Sequence, residues 1–381
     1  MRCYLERAFG TQVKRVLKQF VGRFNRLEFF ITELIMAKAL TDRCQQILEA
    51  IIEEYIATAQ PVGSKALTQN QGIRLSPASV RNVMAELEEL GYLASPHTSA
   101  GRIPTEKGYR FYVDTLLRVS DLDSRQKNQI EMKYRQHGLQ MADMLREASR
   151  TLSSFSHHTG LVMIPRLKVT VFRHIEFVKL SSRQLLVVFV TQSGLVQNKL
   201  VEIDEELTQS DLEKITNYLN QTMSGLSIQE VRARIVAEMA QEKALYDQLL
   251  RRAFTLSSAA LGDEADGDVI IDGTSYFLEQ PEFSDLQQMK NIVQAFEQKS
   301  MLVDLLDRGT DAQGVQVIIG SETQYHELSG CSLITAAYSG RRGSLGTLGV
   351  IGPNRMPYST IIPIVDYTAN LISRLLDREN D

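Results

Sequence analysis

Apolar residues recur at helical spacing in three short stretches near the start of the chain. Thr41 and Asp42 favour the start of a first helix, because threonine caps free amides and a carboxylate suits the positive end of the helix dipole. Ser76 and Pro77 favour the start of a third helix. The apolar stripes are Ile47, Leu48, Ile51, Ile52, Tyr55 and Ile56 in the first helix, and Val80, Val83, Met84, Leu87 and Leu90 in the third. With a short helix at 64–69 between them, the pattern predicts a helix-turn-helix unit.

A polar loop between two short apolar segments follows the third helix. Residues 92–94 predict one strand, 95–101 a tight loop and 102–104 the returning strand. Thr105 then favours the start of another helix. In DNA-binding proteins, a hairpin directly after the helix that enters the DNA groove is called a wing. Small residues in its loop would let backbone amides approach phosphate.

The third predicted helix has polar residues of opposite character in its two halves. Ser79, Arg81 and Asn82 lie off the apolar stripe in the first half, whereas glutamates occupy the second half. Because phosphates would repel the acidic half, the helix would have to enter a major groove with its N-terminus first, as recognition helices do. A solvated helix packed on a three-helix core would carry the same residues, so this helix alone leaves both interpretations open.

Basic residues around the third helix and the wing predict one basic face, while acidic residues lie on the first helix. The basic residues are Lys65, Arg74, Arg81, Arg102, Lys107 and Arg110. We expect contacts to base edges from Ser79, Arg81 and Asn82. Contacts to phosphate or to the groove are expected from Ser64, Lys65, Ser76, His97, Thr98, Ser99 and Arg102.

The rest of the chain alternates between strand and helix patterns, which favours an α+β body. Strands are predicted at 161–164, 171–180, 185–190, 268–272, 315–320, 331–338 and 347–351. The unbroken apolar run from Leu185 to Val190 is typical of a central strand covered on both faces. Helices are predicted at 124–155, at 286–306 and at 361–375.

A helical block at about 205–276 interrupts this alternation. Its apolar stripe runs from Ile228 to Ala253 and is longer than one small subdomain needs. We therefore expect part of it to contact the same stripe on a second subunit. Packing against the sheet is the alternative.

Composition agrees with a folded chain of several domains. At about 150 residues per domain, 381 residues predict two or three domains, and 43% hydrophobic residues can build a core for each. The longest apolar run is far short of the roughly 20 residues of a membrane span, so we expect none. The three separated cysteines, Cys3, Cys44 and Cys331, favour a reducing, cytoplasmic compartment.

The overall net charge of −4 is unevenly distributed. Residues 1–36 carry a net charge of +4 and residues 37–118 are neutral, so the excess of acids lies in the rest of the chain. A neutral segment can still bind nucleic acid when its basic residues lie on one face and its acids on another.

Residue patterns that suggest enzymatic chemistry are incomplete. Adjacent His157 and His158 point in different directions and have no cysteine or carboxylate at ligand spacing. Glycines at 340, 343, 346, 349 and 352 lack the Walker spacing and its lysine, so a hairpin fits them better than a phosphate loop. We expect no enzyme, no metal site and no cofactor.

Several strings resemble the HrcA family of heat-inducible transcription repressors. They are Pro61–Ser64, Ser79–Met84, Leu87–Leu93, Pro96–Thr105, Gly108–Asp114, Asp272–Ser275, Pro281–Phe283 and Gly346–Met356. The string Pro96-His97-Thr98-Ser99-Ala100-Gly101-Arg102-Ile103-Pro104-Thr105 is long and unusual, and the resemblance covers about 37–378.

The resemblance implies an N-terminal winged helix at 37–118, a helical linker at 119–158, and a GAF-like domain formed by 159–204 and 277–378. It implies an inserted, mainly helical dimerisation domain at 205–276. It also implies a homodimer that binds an inverted-repeat operator in double-stranded DNA upstream of chaperone operons and is released on heat stress. The GroEL chaperonin would keep it active.

Three questions stay open at the level of sequence. The family usually begins close to Met36, so residues 1–36 are either a basic arm or the product of an upstream start codon chosen in error, the second being preferred. The alternative function is a winged-helix repressor controlled by a small molecule in the GAF-like domain. A third class is an enzyme fused to a DNA-binding module, against which the incomplete catalytic patterns argue.

Overall fold

The computed structural model divides the chain into two compact units, with the division after Leu117. It describes residues 40–70, 73, 75–97, 101–135, 141–165, 171–192, 196–203, 207–226, 230, 268–310, 312, 314–340 and 343–378. The predicted N-terminal extension and almost all of the predicted apolar stripe from Ile228 to Ala253 lie outside these residues. Across the described residues, no helix combines the length and the apolar character needed to cross a membrane.

Three helices form the core of the first unit. They are α1 (Asp42–Thr58), α2 (Ser64–Asn70) and α3 (Pro77–Glu89). The predicted caps are confirmed, because Thr41 Oγ1 accepts a hydrogen bond from the Cys44 amide and Ser76 Oγ accepts one from the Ser79 amide. The side chains buried between the helices belong to the predicted apolar stripes, including Ile47, Leu48, Ile51, Ile52, Val80 and Leu87.

A small antiparallel hairpin follows α3. Its strands β1 (Leu93–Ala94) and β2 (Ile103–Pro104) pair with each other. The backbones of Val62 and Arg102 exchange two hydrogen bonds of 2.9 Å, so the segment before α2 adds a third, one-residue strand. Helix α4 (Glu106–Phe111) begins at the Thr105 cap and continues as a π-helical turn over Tyr112–Leu116.

The second unit contains a five-stranded, fully antiparallel sheet in the order β7-β3-β10-β9-β8. The strands are β3 (Thr159–Met163), β7 (Val269–Asp272), β8 (Val315–Ile319), β9 (Cys331–Gly340) and β10 (Gly343–Pro353). Helices α5 (Ser124–Arg135), α6 (Met141–Ser156) and α10 (Tyr358–Arg378) accompany it, and α6 and α10 contact the sheet and each other. Leu333 and Ile351 belong to a buried cluster with α8 (Leu286–Glu297) and α9 (Lys299–Asp307). Helices therefore pack on both faces.

The predicted glycine-rich hairpin is confirmed. Strands β9 and β10 pair directly, with Gly340 opposite Gly343. Gly346 and Gly349 lie where a Cβ atom would meet the Tyr338 ring or the Ile334 carbonyl. These glycines therefore permit close packing within the sheet.

A separate three-stranded sheet is the main departure from the sequence prediction. It contains β4 (Phe172–Lys179), β5 (Gln184–Thr191) and β6 (Val196–Glu202), with α7 (Gln209–Met223) packed on one face. The prediction that Leu185 to Val190 is covered on both faces is wrong, because burial alternates along β5. An apolar run does not reveal which face is covered, since both faces carry the same residue types.

The sheets also cut across the predicted domain boundaries. Strands β4–β6 fall within the segment expected to be GAF-like, yet they do not join the five-stranded sheet. Strand β7 falls within the predicted 205–276 insertion, yet it pairs with β3. The predicted single helix at 286–306 is two helices, because Gln298 leaves the helical conformation with ψ at 73°.

Candidate nucleic-acid interface

The N-terminus of α3 is capped by side-chain hydrogen bonds. The Ser76 hydroxyl accepts from the Ser79 amide at 3.1 Å and donates to Ser79 Oγ at 3.0 Å. Pro77 occupies the first turn, where its missing N–H costs nothing. Ser76 and Ser79, two of the serines predicted to bind DNA, are therefore hydrogen-bonded to each other and fix where the helix begins.

Of the three residues predicted to contact bases, two are fully presented to solvent. Arg81 and Asn82 are exposed, Ser79 is half-buried, and Val80 and Val83 face the core. The apolar stripe of α3 thus turns Arg81 and Asn82 outward on the first half of the helix. This is the half from which a recognition helix contacts base edges.

The residues at the start of α2 divide between packing and exposure. Ser64 is only 8% exposed, which leaves little of its side chain for a ligand. Lys65 is exposed, and no described acidic side chain forms an ion pair with it. Of the two, Lys65 is the better candidate for a phosphate contact.

Arg102 is engaged by the protein itself. Its Nε and Nη2 atoms lie 2.9 and 2.8 Å from Glu88 Oε2, in the second half of α3, and its Nη1 atom lies 3.3 Å from Ser95 Oγ. The Ser95 hydroxyl in turn donates to the His97 carbonyl at 2.8 Å. His97 is exposed, and Thr98 and Ser99 lie outside the described residues.

Several cations of the predicted basic face also have partners within the protein, and the basic face stays a prediction. Besides Arg102, Lys107 donates to the Leu90 carbonyl at 2.8 Å and lies over the Tyr92 ring, 4.4 Å from its centre. Arg110 pairs with Asp114 at 3.2 Å. Each of these cations thus has an acceptor within the first unit. Arg74 lies outside the described residues.

Two glycines that the sequence analysis did not single out hold the hairpin close to its neighbours. A Cβ atom on Gly101 would collide with the backbone of Val62, and one on Gly108 would meet the Tyr92 carbonyl. Thr105 completes this junction by donating to the Gly91 carbonyl at 2.7 Å. The signal in the sequence is weak, because Gly101 lies in the predicted loop, where glycine is common, and only Gly108 interrupts a helix pattern.

The acidic residues of α1 form a contrasting surface. Burial and the neighbouring Glu49 raise the pKa of Glu53 above its ordinary value. Burial first, and then Glu53 and Glu49, raise the pKa of the Tyr112 phenol to about 12. Negative charge is thus concentrated where α1 meets the π-helical turn, which makes this side unsuitable for a phosphate backbone.

The histidine pair in the second unit has a structural role. His158 is buried, and its Nδ1 atom lies 2.6 Å from the Ser156 carbonyl, which can only accept a hydrogen bond. His157 adopts a left-handed backbone with φ at 55° and packs its ring against Tyr276. Among the described side chains, no group of three histidine, cysteine, aspartate or glutamate residues is placed to hold a metal ion.

Comparison with known proteins gives consistent matches. The family model for the HrcA protein C-terminal domain matches residues 142–362. The Heat-inducible transcription repressor HrcA of Geobacter sulfurreducens is 53% identical over 340 residues, covering 89% of this chain and 99% of that protein. The repressor of the same name from Syntrophobacter fumaroxidans is 42% identical, covering 90% of this chain and 99% of that protein.

One solved structure, of a hypothetical protein determined at 2.2 Å resolution, has the same fold. It superposes with a TM-score of 0.56 and 23% identity and covers 90% of this chain and 99% of that one. The family match spans more than half of the chain, and the named relatives match it at high identity over nearly their whole length. The chain therefore belongs to the HrcA family of heat-inducible transcription repressors, which is a family of regulators and not of enzymes.

Proposed function

We propose that the first unit is a winged helix that binds an inverted-repeat operator in double-stranded DNA, and that the bound chain blocks transcription of chaperone operons. The observation that carries this is the polarity of α3. Its capped N-terminal half presents Arg81 and Asn82, while its acidic half is tied to the hairpin through Glu88. The positive end of the helix dipole then points toward the DNA.

The residues divide between base and phosphate contacts. Arginine suits the O6 and N7 atoms of guanine and asparagine suits adenine, so Arg81 and Asn82 are assigned to base edges, with Ser79 beside them. Lys65, His97 and the wing residues Thr98 and Ser99 are assigned to phosphate or the groove. Ser64 and Ser76 are assigned to positioning the starts of their helices, which supports these contacts indirectly.

Operator titration across salt concentrations tests this division. Arg81→Ala should cost about 1–3 kcal/mol of binding free energy and relax the preference at one base position. Lys65→Ala should weaken binding to all sequences and reduce the salt slope by about one. Lys290→Ala, an exposed lysine on α8, is the control and should change neither quantity. Wild-type binding by both Arg81→Ala and Lys65→Ala would refute the site assignment.

We also propose that the chain acts as a homodimer, because an inverted repeat offers two equivalent half-sites. The less buried face of the β4–β6 sheet supports this. Strand β5 is only half-buried there, at Leu186, Val188 and Val190. Neighbouring apolar side chains on and beside this sheet are more exposed, namely Val178 at 42%, Leu180 at 53%, Val196 at 57% and Leu200 at 63%. Apolar area of this kind marks interaction surfaces.

The two sheets of the second unit are assigned to two different domains. The five-stranded sheet with helices on both faces is assigned as the GAF-like domain, and the β4–β6 sheet with α7 and the residues after it as the dimerising insertion. The chain would act in the cytoplasm, where its operator is.

Heat release follows from loss of the folded state. A repressor of marginal stability unfolds on heating, and a chaperonin such as GroEL would restore it once free of other clients. Operator binding measured after a heat pulse, with and without GroEL and ATP, tests this. Recovery that needs the chaperonin is expected, whereas full spontaneous recovery would count against this part.

Control by a small molecule stays the alternative prediction. Its candidate site is a cleft of about 360 Å³ beside β7, lined by Leu145, Arg146, Ile164 and Lys299 among others. A metabolite that shifts operator affinity in the wild type, but not in Arg146→Ala, would favour this alternative.

A further inference from the structure

We propose that Arg102 is a positioning residue that clamps the wing to the recognition helix through Glu88, and that it is not itself a phosphate contact. This inference rests on the proposed DNA-binding function of the first unit. It revises the assignment of Arg102 that the sequence suggested.

All three guanidinium nitrogens of Arg102 have protein partners. Two of them bind the same carboxylate oxygen, Glu88 Oε2, at 2.9 and 2.8 Å, and the third lies 3.3 Å from Ser95 Oγ. The side chains of Arg102 and Glu88 are 25% and 34% exposed, so the pair is partly shielded from water. A phosphate would have to compete with this carboxylate for the same donors.

The clamp joins two parts of the site. Glu88 lies in the last turn of α3, while the Arg102 backbone is held by Val62 on the other side of the hairpin. Ser95 links Arg102 to the His97 carbonyl and so to the loop that carries His97. The ion pair therefore connects α3 to Ser95 and, through Ser95, to His97.

Lys107 contacts the same C-terminal end of α3. Its ammonium donates to the Leu90 carbonyl, directly after α3, where cations complement the helix dipole. Two cations of the protein thus contact the C-terminal end of α3, Arg102 at Glu88 and Lys107 at the Leu90 carbonyl. Its N-terminal end, with Arg81 and Asn82, remains on the surface.

The variant Glu88→Gln separates the two roles of Arg102 by the sign of its effect. If Arg102 positions the wing through Glu88, removing the carboxylate charge should weaken operator binding about five-fold, the order of one partly exposed ion pair. If Arg102 contacts phosphate, Glu88→Gln should tighten binding, because it frees the arginine and removes a negative charge near the DNA. Tighter binding would therefore overturn the proposal.

Salt dependence gives an independent readout. Arg102→Ala should weaken binding while leaving the slope of log affinity against log salt unchanged, because no counterion release is lost. Loss of about one unit of slope would overturn the proposal. The double variant Glu88→Gln with Arg102→Ala should bind operator no more weakly than Arg102→Ala alone, because both changes break the same ion pair. Additive losses would also count against it.

Two controls keep the outcomes separate. Glu89→Gln removes a charge from the next position, which is exposed, and should not weaken binding. All titrations are run below the unfolding temperature of each variant, measured by circular dichroism. If the wild type does not bind the operator, the proposed function fails. If the wild type binds and Arg81→Ala impairs it while Glu88→Gln tightens binding, only the Arg102 inference fails.

Discussion

At the scale of single residues, the hairpin depends on positions that carry no charge. Gly101 lets the returning strand approach Val62 closely enough for the two backbones to exchange hydrogen bonds. Arg102, the next residue, then has its backbone held by Val62 and its side chain by Glu88. The close approach at Gly101 therefore permits the backbone contact that holds Arg102 in place.

Gly101→Ala should destabilise the first unit by about 1–3 kcal/mol, because the added methyl group must displace backbone atoms of Val62. Chemical denaturation followed by circular dichroism measures this loss. Gly63→Ala is the matched control, since an added Cβ atom there has no described neighbour within 4 Å. Equal stability of the two variants would contradict the packing argument.

His158 should make stability depend on pH. Burial, assisted by Arg355 and opposed by the Ser156 carbonyl, lowers the pKa of His158 below its ordinary value of 6.5. Just below pH 6.5 the unfolded chain therefore binds more protons than the folded one, so the free energy of unfolding falls as the pH decreases.

His158→Asn should flatten this pH dependence between about pH 5 and 7, because asparagine keeps a donor for the Ser156 carbonyl but does not titrate in this range. Thermal unfolding at a series of pH values measures it. His326→Gln, at an exposed histidine of the same unit, should keep the wild-type slope. A wild-type slope in His158→Asn would assign the effect to other groups.

At the scale of elements, local chemistry determines where the helices of the first unit begin. Thr41, Ser76 and Thr105 each accept a hydrogen bond from the backbone amide of the third residue of their helix. Partners that lie this close in the chain can be inferred from residue types alone. The break at Gln298 could not be inferred in this way, because the apolar stripe continues across it.

The cap of α3 should affect stability and DNA binding differently. Ser76→Ala should lose about 1 kcal/mol of stability, because an amide of the first turn loses its acceptor. Ser76→Asn and Ser76→Asp should both preserve the cap. Of these two variants, only Ser76→Asp should bind operator poorly, because it places a negative charge at the end of the helix that approaches phosphate. Urea denaturation and operator titration of the three variants measure this, and equal operator affinity of Ser76→Asn and Ser76→Asp would remove α3 from the interface.

At the scale of the whole molecule, the chain divides into a smaller unit, for which we propose DNA binding, and a larger unit with two sheets. The five-stranded sheet has helices on both faces, whereas the β4–β6 sheet has α7 on one face. Exposed apolar residues on the less buried side of the β4–β6 sheet are candidates for contact with a second copy, because several of them lie together on one sheet.

Leu200→Lys should shift the chain from dimer to monomer in sedimentation equilibrium and weaken operator binding, because a buried lysine would lack a partner across the interface. Leu286→Lys is the control, since Leu286 is similarly exposed but lies on α8. A dimer of unchanged strength in Leu200→Lys would locate the dimer contact elsewhere in the chain.

Much of the candidate site was predictable from sequence. The Ser76-Pro77 start, the outward Arg81 and Asn82, and the hairpin after α3 each depend on residues within a few positions of one another. The roles of Arg102 and Lys107 were not predictable, because their partners Glu88 and Leu90 are 14 and 17 positions away. A basic residue in a sequence carries no information about which acceptor it will meet.

The sequence by itself determined most of the elements, the starts of α1, α3 and α4, and the membership of the HrcA family, because periodicity, capping and motif strings are local properties of the chain. Tertiary structure alone decided how the strands divide into two sheets, which face of β5 is more buried, and which acceptors Arg102 and Lys107 contact. These outcomes depend on contacts between residues far apart in sequence, where several pairings are compatible with the same local pattern.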